Sequence, residues 1–112
     1  MNFIIRREVH VCTDVVLQDV SVDRWPAHVR IRWEQISGVN RTSATTTIEV
    51  GVKRDAEIYG FRSGPAVALN RSVRMHGELF LSGEYRPTAR FRGATLGDML
   101  ELNCAGVIID EA

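Results

Sequence analysis

The run Arg90-Phe91-Arg92-Gly93-Ala94-Thr95-Leu96-Gly97-Asp98-Met99-Leu100-Glu101-Leu102 constrains this chain more than any other stretch of it. Two alternating arms flank a glycine-bounded loop, and both arms keep their apolar residues in phase. Read as a β-hairpin with residues 93–98 as the loop, Arg92 pairs with Met99 and Phe91 with Leu100. Arg90 then meets Glu101, and Ala89 meets Leu102. Apolar side chains share one face and an opposite-charge pair occupies the other, the agreement that pins a strand register. A chain written this way builds sheets.

The same alternation recurs upstream. Residues 28–36 set Val29, Ile31 and Trp33 against Arg30, Arg32 and Glu34, and residues 45–53 set Ile48, Val50 and Val52 against Thr47, Glu49 and Lys53. Turn formers fill the gap from 37 to 44. A second hairpin follows, in which Trp33 faces Ile48, Ile31 faces Val50 and Arg32 faces Glu49. Shorter strands are expected at 58–62, closed by Ser63-Gly64-Pro65, and at 78–81 with Leu79 and Leu81 inward. Another begins after Pro87, which has no N–H for a ladder, and covers 88–92. Residues 99–109 make the longest strand, with Gly106 as a candidate bulge. Residues 3–12 and 15–22 alternate imperfectly, and only 66–75 could be forced into a helix. The expected fold is all-β, one domain over residues 1–112. It is a small antiparallel β-sandwich or jelly-roll-like barrel of about seven or eight strands, with residues 1–7 available as an extended N-terminal arm. Its core is expected to gather Val29, Ile31, Trp33, Ile48, Val50, Val52, Leu79, Leu81, Phe91, Leu100 and Leu102.

At 112 residues, with 45% apolar and 25% charged composition, the chain can bury a core without metal or disulfide support. Acidic and basic residues balance at 14 each, so no overall field draws nucleic acid or an anionic membrane. Lys53 is the sole lysine; every other cation of the basic set is arginine. A GC-rich coding sequence accounts for that bias without any function, although guanidinium groups also suit protein contacts and bidentate carboxylate pairing. No apolar run approaches the ~20 residues of a membrane-spanning helix. In Met1-Asn2-Phe3-Ile4-Ile5-Arg6-Arg7 the apolar residues precede the charges, the reverse of a secretory signal, so synthesis in a cytosol is expected. Cys12 and Cys104 are accordingly expected as reduced thiols, with Cys104 in phase with Leu100 and Leu102 as a small buried hydrophobe. A bridge between them would require the first and last strands to be neighbours.

Catalytic and cofactor signatures are missing. His10, His28 and His76 have no metal-ligand spacing, and neither phosphate-binding glycine pattern occurs. His10 and Cys12 share a strand face, the only hint of a thiol nucleophile, and one that alternation produces routinely. Arg86, Arg90 and Arg92 lie near Tyr85, but Glu101 is expected opposite Arg90 and Phe91 faces the core, which describes a solvated strand face better than a nucleic-acid platform. No catalytic residue, metal or cofactor is assigned.

The stretch Glu78-Leu79-Phe80-Leu81-Ser82-Gly83-Glu84-Tyr85-Arg86-Pro87-Thr88-Ala89-Arg90-Phe91-Arg92-Gly93-Ala94-Thr95-Leu96-Gly97-Asp98 resembles small virion structural proteins of tailed bacteriophages. These carry a similar phrase of apolar strand, Gly-Glu turn, Ala-Arg-Phe strand and Gly-Ala-Thr-x-Gly-Asp turn. The resemblance implies a non-enzymatic head-decoration, cement or connector protein of the virion. Its partners would be other copies of itself, a trimer above all, and virion proteins such as the major capsid protein. Neither membrane nor specific nucleic acid is expected as a partner. The expected contact residues are Phe3, Ile4 and Ile5 of the arm and Arg86, Arg90 and Arg92 of the hairpin face. The runner-up is a ligand-binding sandwich, such as a carbohydrate-binding module, with Trp25, Trp33, Tyr59 and Tyr85 as its stacking platform.

Overall fold

The computed structural model describes residues 2–75 and 77–110. Among them are nine strands and no helix: β1 (Asn2–Val11), β2 (Gln18–Ser21), β3 (Arg30–Asn40), β4 (Thr45–Arg54), β5 (Glu57–Val67), β6 (Ser72–Arg74), β7 (Leu79–Ser82), β8 (Arg86–Arg92) and β9 (Met99–Asp110). One sheet runs β1-β9-β3, with β6 and β7 sharing the outer edge of β3; the other runs β2-β8-β4-β5. All pairings are antiparallel. With β7 set aside, the order is first-eighth-third-sixth over second-seventh-fourth-fifth, the double Greek key of a jelly roll. The expected all-β sandwich is therefore the fold. The 66–75 stretch holds the end of β5, a turn and β6. β5 runs on through Ser63-Gly64-Pro65, which an edge strand tolerates because proline's missing donor faces solvent.

Both expected hairpins are corrected. β8 pairs with β2 and β4 while β9 pairs with β1 and β3, so Phe91 and Leu100 meet across the core rather than side by side. β3 and β4 likewise lie in different sheets. Arg90 sits opposite Asp19 and Glu49, not Glu101; Arg32 hydrogen-bonds Glu34, not Glu49. The physical reason is a degeneracy. Strands joined by a hairpin and strands joined across two sheets about 10 Å apart both need inward residues in phase. Alternation chooses the faces and leaves the connection open.

The loops make the choice. Gly93 and Gly97 adopt φ of 73° and 89°, the left-handed region that favours glycine. A Cβ at Gly93 would stand 2.1 Å from Thr46 Oγ1. The 93–98 loop lies against the β1–β2 connection, where Gly93 N–H donates to the Val15 carbonyl (2.9 Å) and Gly97 N–H to that of Cys12 (2.9 Å). It is locked to the β3–β4 loop through Asp98. Asn40 Nδ2 (2.8 Å), Ser43 Oγ (2.5 Å) and the Thr95 N–H (2.8 Å) all donate to Asp98 Oδ2. Asn40 also donates to Thr45 Oγ1 (2.8 Å), and its Oδ1 accepts the Thr42 N–H (2.9 Å). Asn40 and Asp98 are buried at inward positions, as buried polar groups must be when every partner is supplied.

Between the sheets the core gathers Ile31, Trp33, Ile36, Ile48, Val50, Phe91, Leu100 and Leu102, all fully buried, with Leu79 and Leu81 half-buried against them. Each expected core residue is in this cluster. Trp33 meets Trp25 edge-on at 5.5 Å, and its indole N–H has no hydrogen-bond partner among the described residues. Gly38 lets the sheets approach, since a Cβ there would lie 2.8 Å from that of Ala89. The bulge expected at Gly106 appears across the ladder, where the register slips at β3 between Trp33 and Gln35. Replacing Phe91 by alanine is expected to cost about 3–5 kcal/mol, the range for deleting a buried aromatic. Denaturant unfolding checks it, and a loss well under about 1 kcal/mol would contradict the packing described.

Candidate interaction face

The outer face of the β1-β9-β3 sheet divides into an apolar end and a charged middle. Register alone places Phe3, Val107, Arg32 and Phe80 in one cross-sheet row, and Ile5, Ala105 and Gln35 in the next. Phe3 is 74% exposed, Ile5 76% and Phe80 62%, with Ile109 half-open beside them. Between Phe3 and Phe80 on their row lie Val107, itself buried, and the half-buried Arg32; exposed apolar clusters are a common feature of contact surfaces.

Farther along, Glu101 projects outward yet is buried under its neighbours. Arg41 Nε and Nη2 donate to Glu101 Oε2 at 3.0 and 2.7 Å, Asn103 Nδ2 donates to the same oxygen at 3.1 Å, and Arg7 Nε reaches Oε1. Burial alone would raise its carboxyl, but the bonds from Asn103, Arg41 and Arg7 outweigh that and hold it below the usual range. Both arginines stay largely open to solvent. Arg7 and Arg41 thus present charge on the surface while neutralising a carboxylate beneath it.

The expected contact residues do not form one surface. Phe3 and Ile5 lie on this face, whereas Ile4 points into the core and is buried. Residues 2–7 are not a free arm: they belong to β1, paired with β9 from Asn2↔Ile108 onward. Met1 lies outside the described residues. Arg86, Arg90 and Arg92 lie on the outer face of the opposite sheet. There Arg90 donates from Nε and Nη2 to Asp19 Oδ1 and Oδ2 (2.7 and 2.9 Å), Lys53 Nζ donates to Asp19 Oδ2 (3.2 Å), and Arg86 Nε donates to the Val22 carbonyl (2.9 Å). Arg92 is exposed beside Thr47. Burial works to raise the Asp19 carboxyl, and the bonds from Arg90 and Lys53 reverse it. Two of these three arginines are therefore engaged within their own sheet. Phe80, Glu101 and Arg41 were not anticipated. Phe80 was legible, because inward Leu79 and Leu81 leave it on the other side.

The remaining chemistry is quiet. Cys12 and Cys104 are free thiols, both buried; burial pushes Cys104 up to about 12, which leaves it protonated and inert near neutrality. Cys12 Sγ lies 3.5 Å from the Asp14 carbonyl. His76 lies outside the described residues; among the described residues no three His, Cys, Asp or Glu side chains gather to hold a metal. Of the aromatic set, Trp33 is buried and Trp25 half-buried, while Tyr59 and Tyr85 tilt at 58° to one another. The chain matches no protein-family description, no curated protein and no solved structure.

Asp19, Asp98 and Glu101 are all held below their ordinary values; for Asp98, burial is outweighed by the bonds from Ser43, Asn40 and Thr95. Carboxyls depressed in the folded state stabilise it fully above the unfolded-chain values of about 3.9–4.3, and that contribution drains away as pH falls through the folded ones. Thermal melts are expected to hold from about pH 7 to 5 and to drop steeply below about pH 4. In Asp98→Asn the acid slope should flatten; an unchanged slope would show that the loop carboxylate is not coupled to folding.

Proposed function

We propose that this protein is a non-enzymatic structural module that works by self-association and by attachment to a larger assembly, as decoration, cement and connector proteins of tailed-phage virions do. The observation that carries the reading is the outer face of the β1-β9-β3 sheet, where Phe3, Ile5 and Phe80 stand exposed on adjoining ladder rows. Burying such a side chain contributes about 1.5–3 kcal/mol. Three together reach the low end of the about 4–15 kcal/mol that association costs in lost freedom. The exposed arginines Arg7 and Arg41 flank this patch and would set the orientation of a partner through bidentate contacts. The phage-like phrase spans β7, β8 and the locked 93–98 loop, so it describes the scaffold that holds the face.

The opposite sheet supports the reading by contrast. Arg90 there is held by Asp19 and Arg86 by the Val22 carbonyl, so two of the three arginines expected to make contacts are already engaged. No planar aromatic pair stands exposed among Trp25, Trp33, Tyr59 and Tyr85, so a carbohydrate platform has less support.

Native mass measurement of the purified chain across a wide concentration range tests the proposal; a defined homo-oligomer is expected. Phe80→Ser, on an exposed site, should change unfolding stability by no more than about 0.5 kcal/mol while weakening attachment to the assembly. A chain that stays monomeric at every concentration would sink the self-association reading.

A further inference from the structure

We propose that β1 is a self-pairing edge, and that two copies of this chain join β1 to β1 antiparallel about a two-fold axis at Arg7; the inference rests on the self-associating reading above and specifies its contact. β1 ends its sheet, and among the described residues no strand pairs with its outer side. It is regular and matched to β9 residue for residue from Asn2↔Ile108 to Val11↔Met99, with no slip and no proline. Cys12 prolongs the same ladder, its N–H donating to the Asp98 carbonyl at 2.7 Å. In an antiparallel ladder the residues that exchange hydrogen bonds alternate with those that do not. Even-numbered residues of β1 therefore bond β9, and the N–H and C=O groups of Phe3, Ile5, Arg7, Val9 and Val11 point outward. Consistent with this, the Ile5 carbonyl accepts a bond from the Arg6 side chain at 3.2 Å. An edge this long and regular is ready to add a strand.

The side chains choose the strand and the register. Centred on Arg7, Phe3 lies opposite the partner's Val11 and Ile5 opposite the partner's Val9 on the outer face. On the other face Arg6 lies opposite the partner's Glu8, in a non-hydrogen-bonded pair where side chains approach closest. Two-fold symmetry makes each of these contacts twice. Moving the register two residues one way sets Arg6 against Arg6 and Ile5 against Arg7; moving it the other way sets Glu8 against Glu8. Only the Arg7-centred register meets both the charge and the apolar pattern. It does place Arg7 opposite Arg7, yet each of these already has the Glu101 carboxylate beneath it. Pairing would run the two β1-β9-β3 sheets into one, with the exposed patch of Phe3 and Ile5 continued by Val9 and Val11 of the other copy.

Sedimentation or native mass measurement of the full chain and four variants tests it. The wild-type protein is expected to be dimeric. Val9→Pro removes an outward-facing donor without touching the β9 ladder, and should give a monomer with an unchanged β-sheet spectrum. Arg6→Glu and Glu8→Arg should each weaken dimerisation at least about tenfold, because an attraction repeated twice becomes a repulsion. The double variant Arg6→Glu/Glu8→Arg should restore it. Self-association that persists unaltered in Val9→Pro, single reversals without effect, or a closed trimer would each overturn edge pairing while leaving a self-associating protein. A wild-type chain that is monomeric throughout would overturn both readings.

Discussion

A single carboxylate holds the crossing on which this jelly roll depends. The β3–β4 and β8–β9 connections leave one sheet for the other, so neither is closed by the ladder that would secure a hairpin. Asp98 replaces that ladder by accepting from Asn40, Ser43 and the Thr95 N–H, which ties the two loops together at one end of the sandwich. A buried carboxylate without donors would oppose folding by several kcal/mol. With three donors it is satisfied in one arrangement only, and so it specifies the connection as well as stabilising it.

The two outer faces follow from where the remaining charges find partners. On the β2-β8-β4-β5 sheet, Asp19 collects both Arg90 and Lys53. On the β1-β9-β3 sheet, Glu101 is covered by Arg7 and Arg41, and the rows beyond them hold Phe3, Ile5 and Phe80 in the open. The β2-β8-β4-β5 sheet ends in β5, which no strand among the described residues covers and along which Tyr59 and Phe61 are partly exposed. The β1-β9-β3 sheet carries the more exposed apolar residues, Phe3, Ile5 and Phe80, together with an edge strand of unbroken register and no proline, the two features through which a sandwich adds neighbours. These features are what support the assembly role proposed above.

Much of this was readable in one dimension. Period-2 alternation in 28–36, 45–53 and 89–102 marks which residues are inward, because a strand offers only two faces and water removes the ambiguity between them. The core residues, the all-β class and even the outward position of Phe80 come from that rule. What alternation cannot carry is partnership: Arg90 was matched with Glu101 and Arg32 with Glu49, and the folded chain gave them Asp19 and Glu34.

Tertiary structure decided the partners because they depend on loops whose geometry is long-range. Whether 93–98 turns back or crosses over depends on Val15, Cys12, Thr46 and Asn40, residues far away in the chain that meet it only once both sheets have formed. The same dependence turned residues 2–7 from a free arm into the first six residues of the ten-residue β1, since the strand that receives them, β9, comes last among the strands. Sequence by itself determined which side chains leave water, a local property of each strand. Only the packed sheets determined which strands adjoin and which lie at the edges, because those are properties of contacts between segments far apart in the chain.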